Sequence, residues 1–196
     1  MISGLMRIGR VSEARKVFDE MPERDVASWS AMVSGYSQCG VGVEALRVFR
    51  DMVEAMVIPN LPGLVSAVSA CAQLRALDEG VWLHDYIVKS KFEIDVTLGT
   101  VLLDMYGRCG CIERAVEVFN CMPEKNVLSW NLMIAGLAMN GHSRLVDEGL
   151  RLFGLMTQKY KIEPQREHYG CVVDLLGLSN VNQESDVLEA VKLRGS

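Results

Sequence analysis

The chain has 196 residues, of which 49% are apolar and 23% charged, with 20 Lys and Arg against 25 Asp and Glu for a net charge of −5. No uninterrupted apolar run reaches the roughly 18 residues that a membrane helix needs, because Pro59, Asn60 and Pro62 break the richest stretch. The acidic balance argues against a strongly basic nucleic-acid patch, residues 2–10 lack the charged-then-apolar order of a signal peptide, and six cysteines in a periodic chain read as free thiols rather than a disulfide framework.

From the first residues onward the apolar pattern is helical. A small residue followed by an apolar one at +3, an aromatic at +4 and Met at +7 occurs at Ala14-Val17-Phe18-Met21 and at Ala45-Val48-Phe49-Met52. It returns at Ala115-Val118-Phe119-Met122 and Gly149-Leu152-Phe153-Met156, with a variant at Gly80-Leu83-His84-Ile87. These offsets share one helix face. The starts are spaced by 31, 35, 35 and 34 residues, so the chain is a repeat array.

A first apolar segment precedes each of these helices, such as Trp29-Met32-Val33-Tyr36 or Leu102-Leu103-Met105-Tyr106. Gly9, Gly40 and Gly110 stand five positions ahead of the small residue, where a helix end in the left-handed region suits glycine. Pro59, Pro123 and Pro164 mark the stops of second helices, since proline lacks the amide hydrogen and clashes inside a helix. Each unit is thus helix, turn, helix, and neither helix buries its stripe alone. Stacked pairs do, which predicts an all-α solenoid.

Later in the chain, Val127-Leu128-Ser129-Trp130-Asn131-Leu132-Met133-Ile134-Ala135-Gly136 repeats Val26 to Gly35 at a distance of 101 residues, each copy preceded by Met-Pro-Glu-basic-Asp/Asn (Met21 to Asp25, Met122 to Asn126). The register then breaks, because Gly141 lies eight residues before Gly149 instead of five. Glu167 to Gly177 reads as another first helix. From Leu178 to Ser196 the signature stops, although Ser185 to Val191 has the composition of a short capped helix.

The chemistry-bearing residues form no catalytic set. Cys39 and Cys109 take matching places before the turn glycine and read as packing positions. Cys109, Cys111 and Cys121 lack both Cys-x-x-Cys spacing and a His pair, so no metal site is expected. His84 fills the slot of Phe in sister units and reads as a partly buried packing residue; neither His142 nor His168 opens a His-x-Glu sequence. No phosphate loop or nucleophile elbow is present, and neither an enzyme nor a cofactor is expected.

The Ser-Trp-x-x-Met-Ile/Val-x-Gly starts, the Met-Pro-Glu-Arg-Asp close and the segment Gly80 to Ser90 resemble pentatricopeptide repeats rather than the related tetratricopeptide units. The unequal lengths resemble the plant subclass that alternates short, standard and long units. In those terms residues 1–25 resemble the end of a short unit, 26–60 a standard, 61–95 a long and 96–126 a short one. Residues 127–165 join the first half of a standard unit to the second half of a long one, 166–177 begin a short unit, and 178–196 form a divergent tail. Roughly one repeat length is missing at the junction, and the chain reads as a fragment or altered product of a longer array.

That resemblance implies a right-handed, tetratricopeptide-like α-solenoid that binds single-stranded RNA about one base per repeat. It carries base reading to the fifth and last residue of a unit, with the second packing on the base. These are Ser30 and Asn60 with Ala27, Thr100 and Asn126 with Thr97, and Asn131 and Gln165 with Leu128. A hydroxyl with Asn resembles the adenine-reading pair. Val65 and Asp95 of the long unit read as a spacer, so the implied preference is adenine, any base, adenine, 5′ to 3′.

The resemblance further implies an organellar transcript as target, mitochondrial or plastid residence, and support for cytidine-to-uridine editing with editing-complex proteins as partners. The deaminase-like domain that ends some family members needs His-x-Glu and Cys-x-x-Cys, and neither is here. Two other readings stand beside this one. Asn60 and Asn126 suit capping of the helices that follow them, and the acidic balance suits a protein-binding scaffold of the tetratricopeptide kind. An arrangement with Lys16, Arg47 and Arg114 on the readers' side and the acids opposite reconciles RNA binding with the charge.

Overall fold

The computed structural model describes residues 1–139, 143–160, 162–164 and 166–176, and among these only helices occur as regular structure. Gly141, His142, Gln165 and the tail from Gly177, including Ser185 to Val191, lie outside the described residues. The chain divides into two compact units, Met1–Cys109 and Gly110–Ser196.

The first unit holds α1 (Ile2–Arg7), α2 (Val11–Asp19), α3 (Val26–Gln38), α4 (Gly42–Glu54), α5 (Leu61–Leu74), α6 (Leu77–Lys89) and α7 (Val96–Arg108). Its first helices pack in a row, α1 on α3, α3 on α5 and α5 on α7. Each second helix sits against its own first helix and the next one, as α4 does between α3 and α5. The second unit holds α8 (Ile112–Cys121), α9 (Val127–Met139), α10 (Ser143–Gln158) and α11 (Arg166–Leu176). There α9 packs on α10 and α11, with α8 beside α9.

The small-apolar-aromatic-Met signature is the buried stripe of the second helices. Ala14, Ala45 and Ala115 are buried, and Phe18, Phe49, Phe119 and Phe153 are buried with them. Burying such a Phe contributes roughly 1.5–3 kcal/mol. At Gly80 an added Cβ would come within 2.4 Å of Met105 Sδ, which is why the small position shrinks to glycine in this unit. His84 is half-buried in the aromatic slot, with Nδ1 2.9 Å from the Tyr106 hydroxyl on α7.

The Met-Pro-Glu-basic segment is a latch, and its two copies are built alike. Trp29 meets Phe18 edge-on at 4.9 Å and 77°, and Trp130 meets Phe119 at 4.7 Å and 77°. Arg24 donates to the Phe18 and Asp19 carbonyls while lying over the Phe18 ring, and Lys125 donates to the Met122 carbonyl while lying over Phe119. A cation at the carbonyl end of a helix satisfies orphan acceptors and opposes the helix dipole.

The turns follow the glycine logic with one departure. Gly9, Gly40 and Gly110 have φ of 77°, 75° and 73°, and the Gly9 and Gly40 turns close with bonds such as Arg10 N to Leu5 O and Val41 N to Tyr36 O. The long unit has Arg75 at the equivalent place, φ 52°, closed by the bond of Ala76 N to Cys71 O. Cys39 differs from the packing role expected of it. It caps α3 and is exposed, with Sγ 3.6 Å from the Met6 carbonyl, because the chain has already left the helix face that buries Tyr36.

Candidate nucleic-acid interface

The last residue of each repeat does the same local work. Asp25, Asn60, Asp95 and Asn126 are the N-caps of α3, α5, α7 and α9, accepting the backbone N–H of Ser28, Gly63, Leu98 and Ser129 at 2.8, 3.1, 2.8 and 2.8 Å. A short side-chain acceptor here satisfies a donor that the helix leaves unpaired. The capping reading of Asn60 and Asn126 is therefore correct as local structure. The hydrogen bond to Ser28 also holds the Asp25 carboxyl below its ordinary range, since it stabilises the charged form.

Asn60 does more than cap. Ser30, 5% exposed on α3, donates its hydroxyl to Asn60 Oδ1 at 2.6 Å, so the fifth and last residues of the 26–60 unit meet. A backbone N–H can only donate, so the bond from Gly63 assigns Oδ1 and Nδ2 without ambiguity. Oδ1 is thus held by two donors, and among the described residues the Nδ2 donors have no partner. One turn further on, Ser34 and Ser66 form a second hydroxyl bridge between α3 and α5 at 2.7 Å.

Thr100 behaves differently. It is 8% exposed, and its hydroxyl donates to the Val96 carbonyl of its own helix at 2.6 Å. Threonine in a helix often makes this bond, because β-branching limits its rotamers to ones that reach the preceding turn. In the second unit Asn131 is half-buried and its Oδ1 accepts no hydrogen bond among the described residues, while its inferred partner Gln165 lies outside them. Val65 is half-buried on α5 and offers no polar atom. The inferred base-packing residues Ala27, Thr97 and Leu128 are all exposed, Leu128 by 53% despite its size.

Charge is partitioned between helix types. α3, α5 and α9 contain no Asp, Glu, Lys or Arg, and on α7 Arg108 pairs with Asp104. Lys16, Arg47 and Arg114 lie on the second helices α2, α4 and α8, Arg47 and Arg114 paired with Glu44 and Glu117 of the same helix and Lys16 with Glu20 just past the end of α2. Among the described residues no group of three or more His, Cys, Asp or Glu could hold a metal ion, and no helix is long and apolar enough to cross a membrane. Sequence reasoning passed over Gly63 and the Ser34–Ser66 bridge. A glycine at the third place of a first helix, where sister units have Ser28, Leu98 and Ser129, was the available signal for the former.

The repeats have known counterparts. A family model of the PPR repeat matches residues 1–26, 27–57, 100–127 and 128–160. A pentatricopeptide repeat-containing protein of Arabidopsis thaliana is 38% identical, with 84% of this chain and 39% of the relative covered. A chloroplastic one from the same plant is 36% identical over 92% of this chain and 29% of its own length, and a mitochondrial one 34% identical over 85% and 36%. The chain thus spans less than half the length of these relatives. The crystal structure of the pentatricopeptide repeat protein PPR10 in complex with an 18-nt psaJ RNA element shares the fold at a TM-score of 0.70 and 19% identity, covering 97% of this chain and 30% of that one. A second crystal structure, of PPR10 from maize, gives 0.68 and 20%, covering 99% of this chain and 28% of that one. Paired helices of this period, with the latch and cap residues in register and the family model matching over more than half of the chain, place it as a member of the pentatricopeptide repeat family.

Proposed function

We propose that this chain binds single-stranded RNA through its repeats and serves organellar RNA processing, as support for cytidine-to-uridine editing whose catalytic domain is supplied elsewhere. Its units are 26–60 as standard, 61–95 as long, 96–126 as short and 127–165 as the joined unit. The observation that carries the reading is the Ser30–Asn60 bond, since it brings the fifth and last residues of one unit to 2.6 Å and occupies Oδ1 while leaving the Nδ2 donors for a ligand. The fold shared with PPR10, which was crystallised with an RNA element, supports it.

Recognition follows from the hydrogen-bond inventory. Asn60 Nδ2 is the outward donor and the Ser30 hydroxyl keeps acceptor lone pairs, which suits a base edge that sets a ring-nitrogen acceptor beside an amino group; adenine and cytosine share that edge against guanine and uracil, and the resemblance of a hydroxyl with Asn to the family's adenine-reading pair selects adenine. Ala27 lies against the base face. Thr100 has given its hydroxyl to Val96, so recognition in the short unit rests on Asn126, with Thr97 assigned to the base face by the resemblance. Asn131 and Gln165 lean to a pyrimidine, with Leu128 on the base, and the long unit spaces.

Titration of fluorescent oligonucleotides tests this. Single-stranded RNA with adenine at both reading places is expected to bind more tightly than RNA with cytosine there, and more tightly than double-stranded DNA at the same salt. Equal affinity for all of these ends the proposal. A chain that ignores RNA yet retains a protein partner would instead be the helical scaffold that its net charge of −5 also permits.

A further inference from the structure

Gly63 stands in the first turn of α5 with an ordinary helical backbone, where a residue with a side chain is accepted in the sister units. No backbone requirement explains it. Space does: a Cβ at this position would lie 3.1 Å from Ser30 Oγ and 3.2 Å from Asn60 Oδ1, the two ends of the 2.6 Å bond described above. The same glycine gives its N–H to Asn60 Oδ1 at 3.1 Å. A side chain is compatible with the cap itself, because Ser28 and Ser129 occupy the corresponding places. Their hydroxyls return to the cap carbonyls of Asp25 and Asn126, each at 2.8 Å. What the missing side chain preserves is therefore the bridge and not the cap.

We propose that Gly63 is a positioning residue that sets the base preference of the preceding repeat, by leaving room for Ser30 to hold the Asn60 amide with its donors outward. The inference rests on the reading of Ser30 and Asn60 as base-facing groups. It makes recognition by one unit depend on a residue of the next, outside the fifth and last positions. A serine at 63 builds the cap seen at Ser28 and Ser129, crowds the Ser30 hydroxyl off Oδ1, and leaves the amide held by the cap bond alone and freer to turn about it.

The test uses the whole chain as wild type, Gly63→Ser and Gly63→Ala. Side-chain amide relaxation by nuclear magnetic resonance reads the order of the Asn60 Nδ2 group without RNA, and circular dichroism confirms the helices. Binding is then measured with RNAs bearing adenine or guanine at the place facing the 26–60 unit, and again at the place facing the 96–126 unit. An ordered amide is expected in wild type and a mobile one in Gly63→Ser, with adenine preference at the first place falling at least fivefold and preference at the second unchanged. An amide equally ordered in both proteins, or an unchanged preference at the first place, overturns the inference. A wild type that binds no RNA overturns the base reading alone, and the amide relaxation still decides for or against Gly63.

Discussion

Replacing Asn60 by aspartate separates capping from reading, which alanine does not. Asn60→Ala removes the acceptor that serves Gly63 N and the Ser30 hydroxyl, losing a cap contribution of about 0.5–2 kcal/mol whatever the residue does for RNA. Asn60→Asp keeps both bonds, because a carboxylate oxygen accepts as the amide oxygen did and caps about equally well. A negative charge at the start of α5 adds roughly 0.3–1 kcal/mol through the helix dipole. Stability is therefore expected to hold or rise slightly. The Nδ2 donors, however, are gone, and a ring nitrogen such as adenine N1 is left facing an acceptor. An unmade hydrogen bond of this kind costs about 1–3 kcal/mol, or about five- to 150-fold in affinity. Guanine, whose N1–H and amino group donate, gains what adenine loses. The added charge repels phosphate equally for every base, so the informative quantity is the ratio of adenine to guanine affinities, measured by fluorescence anisotropy at fixed salt. The reasoning is refuted if Asn60→Asp melts like wild type and keeps its adenine-to-guanine ratio.

Other perturbations address the fold. The Asp25 carboxyl is held below its ordinary range by Ser28, so its contribution is complete above that range and is lost as pH falls through the lowered value. The protection of the Ser28 amide, its exchange rate relative to the intrinsic rate at each pH, is expected to fall in wild type as the Asp25 carboxyl is protonated and to stay unchanged in Asp25→Asn, and the same loss of protection in both proteins would be a contrary result. Arg75 holds a left-handed φ of 52° where Gly9, Gly40 and Gly110 stand in sister turns. Arg75→Gly relieves about 1–2 kcal/mol of backbone strain and adds back about 0.5–1 through unfolded-state freedom, so the melting midpoint is expected to rise by a few degrees, and a fall would contradict the assignment. Cys71 is 0% exposed and burial pushes its thiol up to about 12. A neutral-pH thiol reagent should label the exposed Cys39 and Cys121 in the native chain and reach Cys71 only on unfolding, with labelling at comparable rates as the result that fails the prediction.

The helices, their turns and their buried stripe were legible because each repeats with a period set by helix geometry. Ala14, Phe18 and Met21 recur as Ala115, Phe119 and Met122, and chance does not produce that spacing twice with Trp29 and Trp130 following at matched distance. The candidate readers came from the family resemblance alone, and their hydrogen bonds were not legible. Ser30 and Thr100 look interchangeable in a sequence, yet one hydroxyl crosses to Asn60 and the other returns to Val96. That choice depends on rotamer and on free space at a neighbouring residue, here Gly63, and neither is written in the reader itself. Cys39 shows the converse limit, since a shared place before the turn glycine did not make it a buried one.

The partition of charge bears on how such a chain can bind at all. With −5 overall, repulsion from phosphate is the first expectation, but the acids and bases of the second helices neutralise one another in pairs such as Arg15–Asp19 and Arg47–Glu44. The first helices α3, α5 and α9 present neither sign, so Ser30 and Asn131 sit on uncharged helices and Asn60 and Asn126 cap α5 and α9, while α7 carries only the paired Asp104 and Arg108. Neutral ground also means few phosphate contacts, and affinity that does not come from counterion release has a shallow dependence on salt. What remains is base-edge hydrogen bonding and stacking, worth only a few kcal/mol per unit and summed over the units that read. Binding by this route is weak for a chain with so few reading units and becomes strong by adding units, which is the economy a repeat array permits and a single compact domain does not.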